Sequence, residues 1–89
     1  MKSPRPLGAF KKDLKRLARR GYRLEKLYYV ISLLRQDSEL PPMARPHKLQ
    51  GAYDGLWECH MESNWLLIYD ITDSQIVLHR TGSHDDLFD

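Results

Sequence analysis

Four histidines, His47, His60, His79 and His84, and the arginine that follows the third of them, Arg80, are the residues of this 89-residue chain whose types could do chemistry together. Unperturbed imidazole titrates at about pH 6.5, so a pair can hold one base and one acid at neutral pH. Arginine adds a fixed fork of donors for phosphate oxygens, where negative charge gathers in a transition state. A lone histidine is more often a surface residue than a catalyst, so only convergence of several would make a site. With neither a Cys-x-x-Cys pair nor a His-Glu-x-x-His helix in the sequence, the set suits acid–base chemistry at a phosphate better than zinc hydrolysis. RNA supplies its own nucleophile, the 2′-hydroxyl. A nuclease that deprotonates that group, protonates the 5′-leaving oxygen and stabilises the phosphorane would act on RNA and not on DNA.

The elements that must position these residues follow from the period of the apolar pattern. Phe10, Leu14, Leu17 and Ala18 form the stripe of an amphipathic helix whose other face is Lys and Arg, with Gly21 as its stop. Leu24, Leu27, Tyr28, Ile31 and Leu34 repeat that spacing, and three prolines between Ser38 and Pro46 then break regular structure. From Leu56 to Met61 the pattern alternates, with Trp57, Cys59 and Met61 on one face and Glu58 and His60 on the other. Ser63–Asn64 is turn chemistry, Trp65–Ile71 is a nearly continuous apolar run, and Thr72–Ser74 turns into a strand over Gln75–Thr81. His47–Gln50 is an edge piece or a loop, and Ser83 is placed to cap a last helical turn containing His84, Leu87 and Phe88.

The expected architecture is α+β. Two N-terminal helices cover one face of an antiparallel sheet of three to four strands, a short helical turn ends the chain, and the second sheet face is left for function. Residues 1–89 are expected to form one domain, with 1–8 as a flexible tail or a short edge strand. Antiparallel order brings His60, Arg80 and His84 toward one end of the sheet, with His47 entering from the preceding loop. One conflict stands out: on a regular strand Arg80 shares its face with Ile76 and Leu78, so the strand must twist or bulge before it, or Arg80 must reach around the strand end.

Charge is unevenly distributed. The first 35 residues carry eleven Lys/Arg against Asp13 and Glu25, a net +9, and the remainder carries three against ten, a net −7. Such a block is a solvated helix face or a surface for an anionic partner. One cysteine, Cys59, cannot form an internal disulfide, no metal or cofactor pattern is present, and no apolar run is long enough to cross a bilayer. These features point to the cytoplasm, with no membrane association.

The ordered segments FKKDLKRLARRG, HKLQG (His47–Gly51), WECHMESNWLLIYDI (Trp57–Ile71) and HRTGSHDDLF (His79–Phe88) resemble the YafQ branch of the RelE/ParE toxin superfamily. The resemblance spans Phe10 to Phe88. It implies a ribosome-dependent endoribonuclease that cuts mRNA and is restrained by a DinJ-like antitoxin, with operator DNA met only through the antitoxin complex. It maps catalytic roles onto His47, His60, Arg80 and His84, with His84 the principal proton-transfer group and Arg80 on the phosphate. Asn64 stands where an aspartate is common; it can orient a neighbour but cannot act as a base. Trp65 and Phe88 are either candidates for stacking a base or members of the core. Lys11, Lys12, Lys15, Arg16, Arg19 and Arg20 are candidates for contacting ribosomal RNA or an acidic antitoxin segment. The competing class is a ParE-like gyrase inhibitor or a non-catalytic nucleic-acid-binding module, neither of which needs the histidines.

Overall fold

The computed structural model describes residues 1–88. In chain order the elements are β1 (Ser3–Pro6), α1 (Gly8–Arg19), α2 (Leu24–Arg35), β2 (His47–Lys48), β3 (Trp57–Glu62), β4 (Trp65–Ile71), β5 (Gln75–Gly82) and α3 (His84–Phe88), with single 3-10 turns at Pro42–Ala44 and Gly51–Tyr53. The sheet runs β1-β5-β4-β3-β2. Every neighbouring pair is antiparallel except β1 and β5, which are parallel.

The α+β class holds, and the sheet is larger than expected. The opening segment is a strand, so the sheet has five members and is mixed. Pro4 and Pro6 lack an N–H, which a sheet edge tolerates because one side of the strand needs no partner. Ser3 and Leu7 flank them and donate their amides to the carbonyls of Ser74 and Leu78 at 2.9 and 3.0 Å. The partners come from opposite ends of the chain, where local pattern carries no pairing signal.

Helices α1 and α2 cover one face. Phe10, Leu17, Leu27, Val30, Ile31 and Leu34 pack on Cys59, Trp65, Leu67, Tyr69, Ile76 and Leu78, and each fully buried large aliphatic or aromatic side chain contributes about 1.5–3 kcal/mol. The stripe of α2 differs from the expected one: Leu27, Val30, Ile31 and Leu34 are buried, whereas Tyr28 is 52% exposed. That set is the i, i+3, i+4, i+7 spacing with Val30 in place of Tyr28, which leaves the phenol hydroxyl in water. Ala18, read as part of the first stripe, is exposed.

The second face is not left bare. Leu66, Ile68 and Leu87 form a small core of their own, with Leu49, Tyr53 and Leu56 packed against it. The segment between β2 and β3, together with α3, thus roofs the middle of that face. No described helix is long and apolar enough to cross a membrane.

The conflict at Arg80 is settled by a bulge. Ile68 pairs with Arg80 and Tyr69 with Leu78, so His79 is an extra residue in β5. Ile76 and Leu78 face the helices, and beyond the bulge the alternation inverts. Arg80 joins Ile68 on the second face. Thr81 turns inward with no exposure, where its Oγ1 accepts from Trp65 Nε1 at 3.0 Å and donates to the Leu66 carbonyl at 2.8 Å.

Candidate active site

Strand register draws the candidate residues into one line. His47 on β2 stands opposite Glu58 on β3, Glu58 opposite Ile68 on β4, and Ile68 opposite Arg80 on β5. A second line, His60, Leu66 and Gly82, lies beside it toward α3. Adjacent strands are about 4.8 Å apart, so roughly 10 Å of backbone separates Glu58 from Arg80. Side chains from both ends can close that gap.

At one end of the line a carboxylate sits between two imidazoles. Glu58 Oε1 is 3.4 Å from His47 Nε2 and 3.4 Å from His60 Nε2. Glu58 is only 7% exposed. His47 Nδ1–H donates to the Arg45 carbonyl at 2.9 Å, which fixes the ring so that Nε2 faces the carboxylate. A negative charge held there stabilises positive charge on either ring as it develops during proton transfer. Sequence reasoning named both histidines and passed over Glu58. Its signal was available: it shares the polar face of β3 with His60.

At the other end, Arg80 is gripped from α1. Asp13 accepts from Arg80 Nε at 2.7 Å and Nη2 at 3.1 Å, from the Thr81 amide at 3.0 Å, and from Arg16 Nη2 at 3.0 Å. The hydrogen bonds that Arg80 donates to Asp13 push its pKa above its usual range; partial burial opposes this, and the Asp13 charge and Tyr53 add to the rise. The guanidinium is therefore permanently charged and held by one side.

Tyr53 links this end to α3. Its hydroxyl donates to the Leu87 carbonyl at 3.0 Å, and its ring meets Phe88 edge-on with centroids 5.5 Å apart. Phe88 in turn lies 4.7 Å from the His84 ring, and His84 and Phe88 are both exposed. Asn64 Oδ1 accepts the His84 amide at 3.0 Å, which ties the start of α3 to the β3–β4 turn. Ser83 and Asp86 cap α3 reciprocally, the Asp86 amide donating to Ser83 Oγ at 3.1 Å and the Ser83 amide to Asp86 Oδ2 at 3.0 Å. The hydrogen bond from the Ser83 amide, helped by Arg20 and Arg16, holds the Asp86 carboxyl below the usual carboxylate range.

Two expectations need correction. Trp65 is 1% exposed, its indole N–H is satisfied by Thr81, and its ring packs edge-on against Tyr22 at 5.0 Å. It is a core residue with no face available to a base. Of the six basic residues expected to meet a partner, Arg16 is half-buried between Asp13 and Asp86, Arg20 bonds Asp86 but stays exposed, and Lys11, Lys12, Lys15 and Arg19 are exposed. Arg20 donates to Asp86 at 3.0 Å, so α1 braces α3 as well as β5.

Among the described residues no group of three His, Cys, Asp or Glu side chains is placed to hold a metal ion. Cys59 is fully buried on the helix side, where desolvation, and to a smaller degree Glu58, push its thiol up to about 12.

The family described as "Bacterial toxin of type II toxin-antitoxin system, YafQ" matches residues 2–89. The mRNA interferase toxin YafQ of Escherichia coli (strain K12) is 38% identical over 82 residues, covering 91% of this chain and 89% of that protein. The crystal structure of YafQ from E. coli strain BL21(DE3) superposes with a TM-score of 0.92 at 33% identity, over 100% of both chains. The toxin in the E. coli DinJ-YafQ complex gives 0.90 at 34% identity, also over 100% of both chains. Sequence and fold agree along the whole length, and the chain belongs to the YafQ family of bacterial toxins of type II toxin–antitoxin systems.

Proposed function

We propose that this toxin is an mRNA interferase: a ribosome-dependent endoribonuclease that cleaves mRNA by acid–base attack of the ribose 2′-hydroxyl, with no metal required in the step. The observation that carries the reading is the gathering of His47, Glu58 and Arg80 on one cross-strand line, with His60 beside it and His84 on the helix that follows. A base takes the 2′-hydroxyl proton, the 2′-oxygen attacks the adjacent phosphorus, and the 5′-oxygen departs with a proton from an acid, leaving a cyclic phosphate. His84 is the principal proton-transfer group, and His47 and His60, with Glu58 between them, assist. Arg80 binds the non-bridging oxygens, where charge accumulates. Phe88, 38% exposed, stacks a base beside the scissile phosphate. Asn64 orients α3 and leaves acid–base work to the histidines.

The exposed Lys11, Lys12, Lys15 and Arg19 give α1 a surface for ribosomal RNA phosphates or for an acidic antitoxin segment. YafQ of E. coli is paired with DinJ, and a DinJ-like antitoxin is the partner we assign here, with operator DNA reached only through that complex. The toxin acts in the cytoplasm, where ribosomes are. Expression without antitoxin should arrest growth and fragment mRNA, and His84→Ala should relieve both effects. Intact mRNA with the parent protein refutes the nuclease reading; unchanged cleavage by the His84→Ala protein refutes the role of His84.

A further inference from the structure

We propose that Asp13 of α1 is a positioning residue for RNA cleavage: it never touches RNA, but it sets the orientation in which Arg80 meets the phosphate. The role rests on the nuclease reading above. Asp13 is 1% exposed in the helix with the highest density of positive charge, and its carboxylate accepts from Arg80 Nε and Nη2, the Thr81 amide and Arg16 Nη2. Its lone pairs are then filled.

What such a buried carboxylate supplies can be separated from packing. A buried ion is costly unless fully paired, and a well-packed hydrophobic residue often stabilises a fold as much or more. Asp13 gives instead two pieces of geometry. Strand β1 pairs with β5 only as far as Leu78, so the Thr81 amide beyond the bulge has no strand partner on that edge, and Asp13 Oδ2 takes its place. The same oxygen receives Arg80 Nε, and Oδ1 receives Nη2. This side-on grip fixes the plane of the guanidinium and turns its other edge, Nη1 and the second Nη2 proton, away from the carboxylate. That edge matches a pair of phosphate oxygens. The bulge at His79 brings Arg80 to the correct face, and Asp13 then fixes its direction.

A structural ion pair and a positioning residue are separated by a double-mutant cycle on cleavage of ribosome-bound mRNA, with kcat, KM and thermal melting measured for the parent, Asp13→Asn, Arg80→Lys and the double variant. Asp13→Asn should lower kcat by about 10- to 100-fold, part of what removal of an aligned donor costs, and change KM by less than about threefold. In the Arg80→Lys background, where the fork is already gone, it should cost less than about twofold. An equal loss in both backgrounds, or a loss that follows the unfolded fraction, overturns the proposal. If Asp13→Asn does not fold, Asp13→Glu, which keeps the charge but displaces it by one methylene, is read in the same cycle. A parent protein that leaves ribosome-bound mRNA intact overturns the nuclease reading and this role with it; cleavage by the parent with an additive cycle overturns only the role of Asp13.

Discussion

Replacing Glu58 by glutamine keeps the shape of the side chain and removes the charge between His47 and His60. At 3.4 Å from each Nε2, a carboxylate and an imidazolium attract by about 5 kcal/mol at an effective dielectric of about 20. That figure is an upper bound. The His47 side chain is 51% exposed, against 22% for His60, so solvent screens the first pair to about 1 kcal/mol or less and leaves the second the larger share. Desolvation of Glu58 offsets part of both. About 2 kcal/mol of preferential stabilisation of the positive ring remains, or roughly a 30-fold loss of kcat in Glu58→Gln. Single-turnover cleavage of ribosome-bound mRNA reads that loss directly. KM should change by less than about threefold, because the carboxylate meets the histidines and not the substrate. Melting should be unchanged or slightly raised, because an amide costs less to bury than a carboxylate. Glu58→Asp, which keeps the charge one methylene further back, should fall between the two. A Glu58→Gln protein that turns over within about twofold of the parent would show that the charge does no work in proton transfer.

Trp65→Ala should destabilise the protein by about 3–5 kcal/mol, seen as a fall in melting temperature, with turnover per folded molecule within about threefold of the parent; unchanged melting with lost cleavage would restore Trp65 as a base-stacking residue. Cys59, with its thiol pushed up to about 12 and no exposure, should alkylate at pH 8 at least about 100-fold more slowly in the native protein than in denaturant; equal rates would show that the β3 core is open. Because hydrogen bonds from Ser83 lower the Asp86 pKa in the folded state, its contribution to stability is present above the ordinary carboxylate value and is lost as pH falls through the folded one. Asp86→Asn should therefore melt less steeply with acid than the parent below about pH 4, and identical acid limbs for the two proteins would refute the linkage.

Much of this fold could be read directly from period and punctuation. The alternation of β3, the apolar run of β4 and the spacing of Phe10, Leu14 and Leu17 each have one physical solution, and α1 ends, as expected, at a glycine with φ 82°. For strand β1 the local pattern leaves a flexible tail and a short edge strand both open, because its partner lies at the other end of the chain and pairing between distant segments leaves no local trace. The roof over the second face was missed for a similar reason. Leu49, Tyr53 and Leu56 are scattered through a loop, and only the meeting with Leu66 and Ile68 makes them a core.

The site itself was half legible, and the missing half follows a rule. His47, His60, Arg80 and His84 were visible by residue type, whereas the carboxylates that orient two of the histidines and the arginine were not. Asp13 looked like one acid among eleven basic residues, yet with Phe10, Leu14 and Leu17 it falls at i, i+3, i+4 and i+7, a core position where the helical period calls for an apolar side chain. Arg80 broke the alternation of β5 in the same sense, a charge where Ile76 and Leu78 predicted a hydrophobe. The two violations are partners: a charge that the pattern places in the core of α1 meets a charge that the pattern places in the core of β5, and they bond at 2.7 Å beside the stretch of β5 that β1 leaves unpaired. Either violation alone looks like a defect, an unpaired ion placed where burial would expel it. Taken as a pair, they mark the point where this fold gives up packing to hold a guanidinium still, the kind of local inconsistency that a functional site is expected to leave in an otherwise consistent sequence.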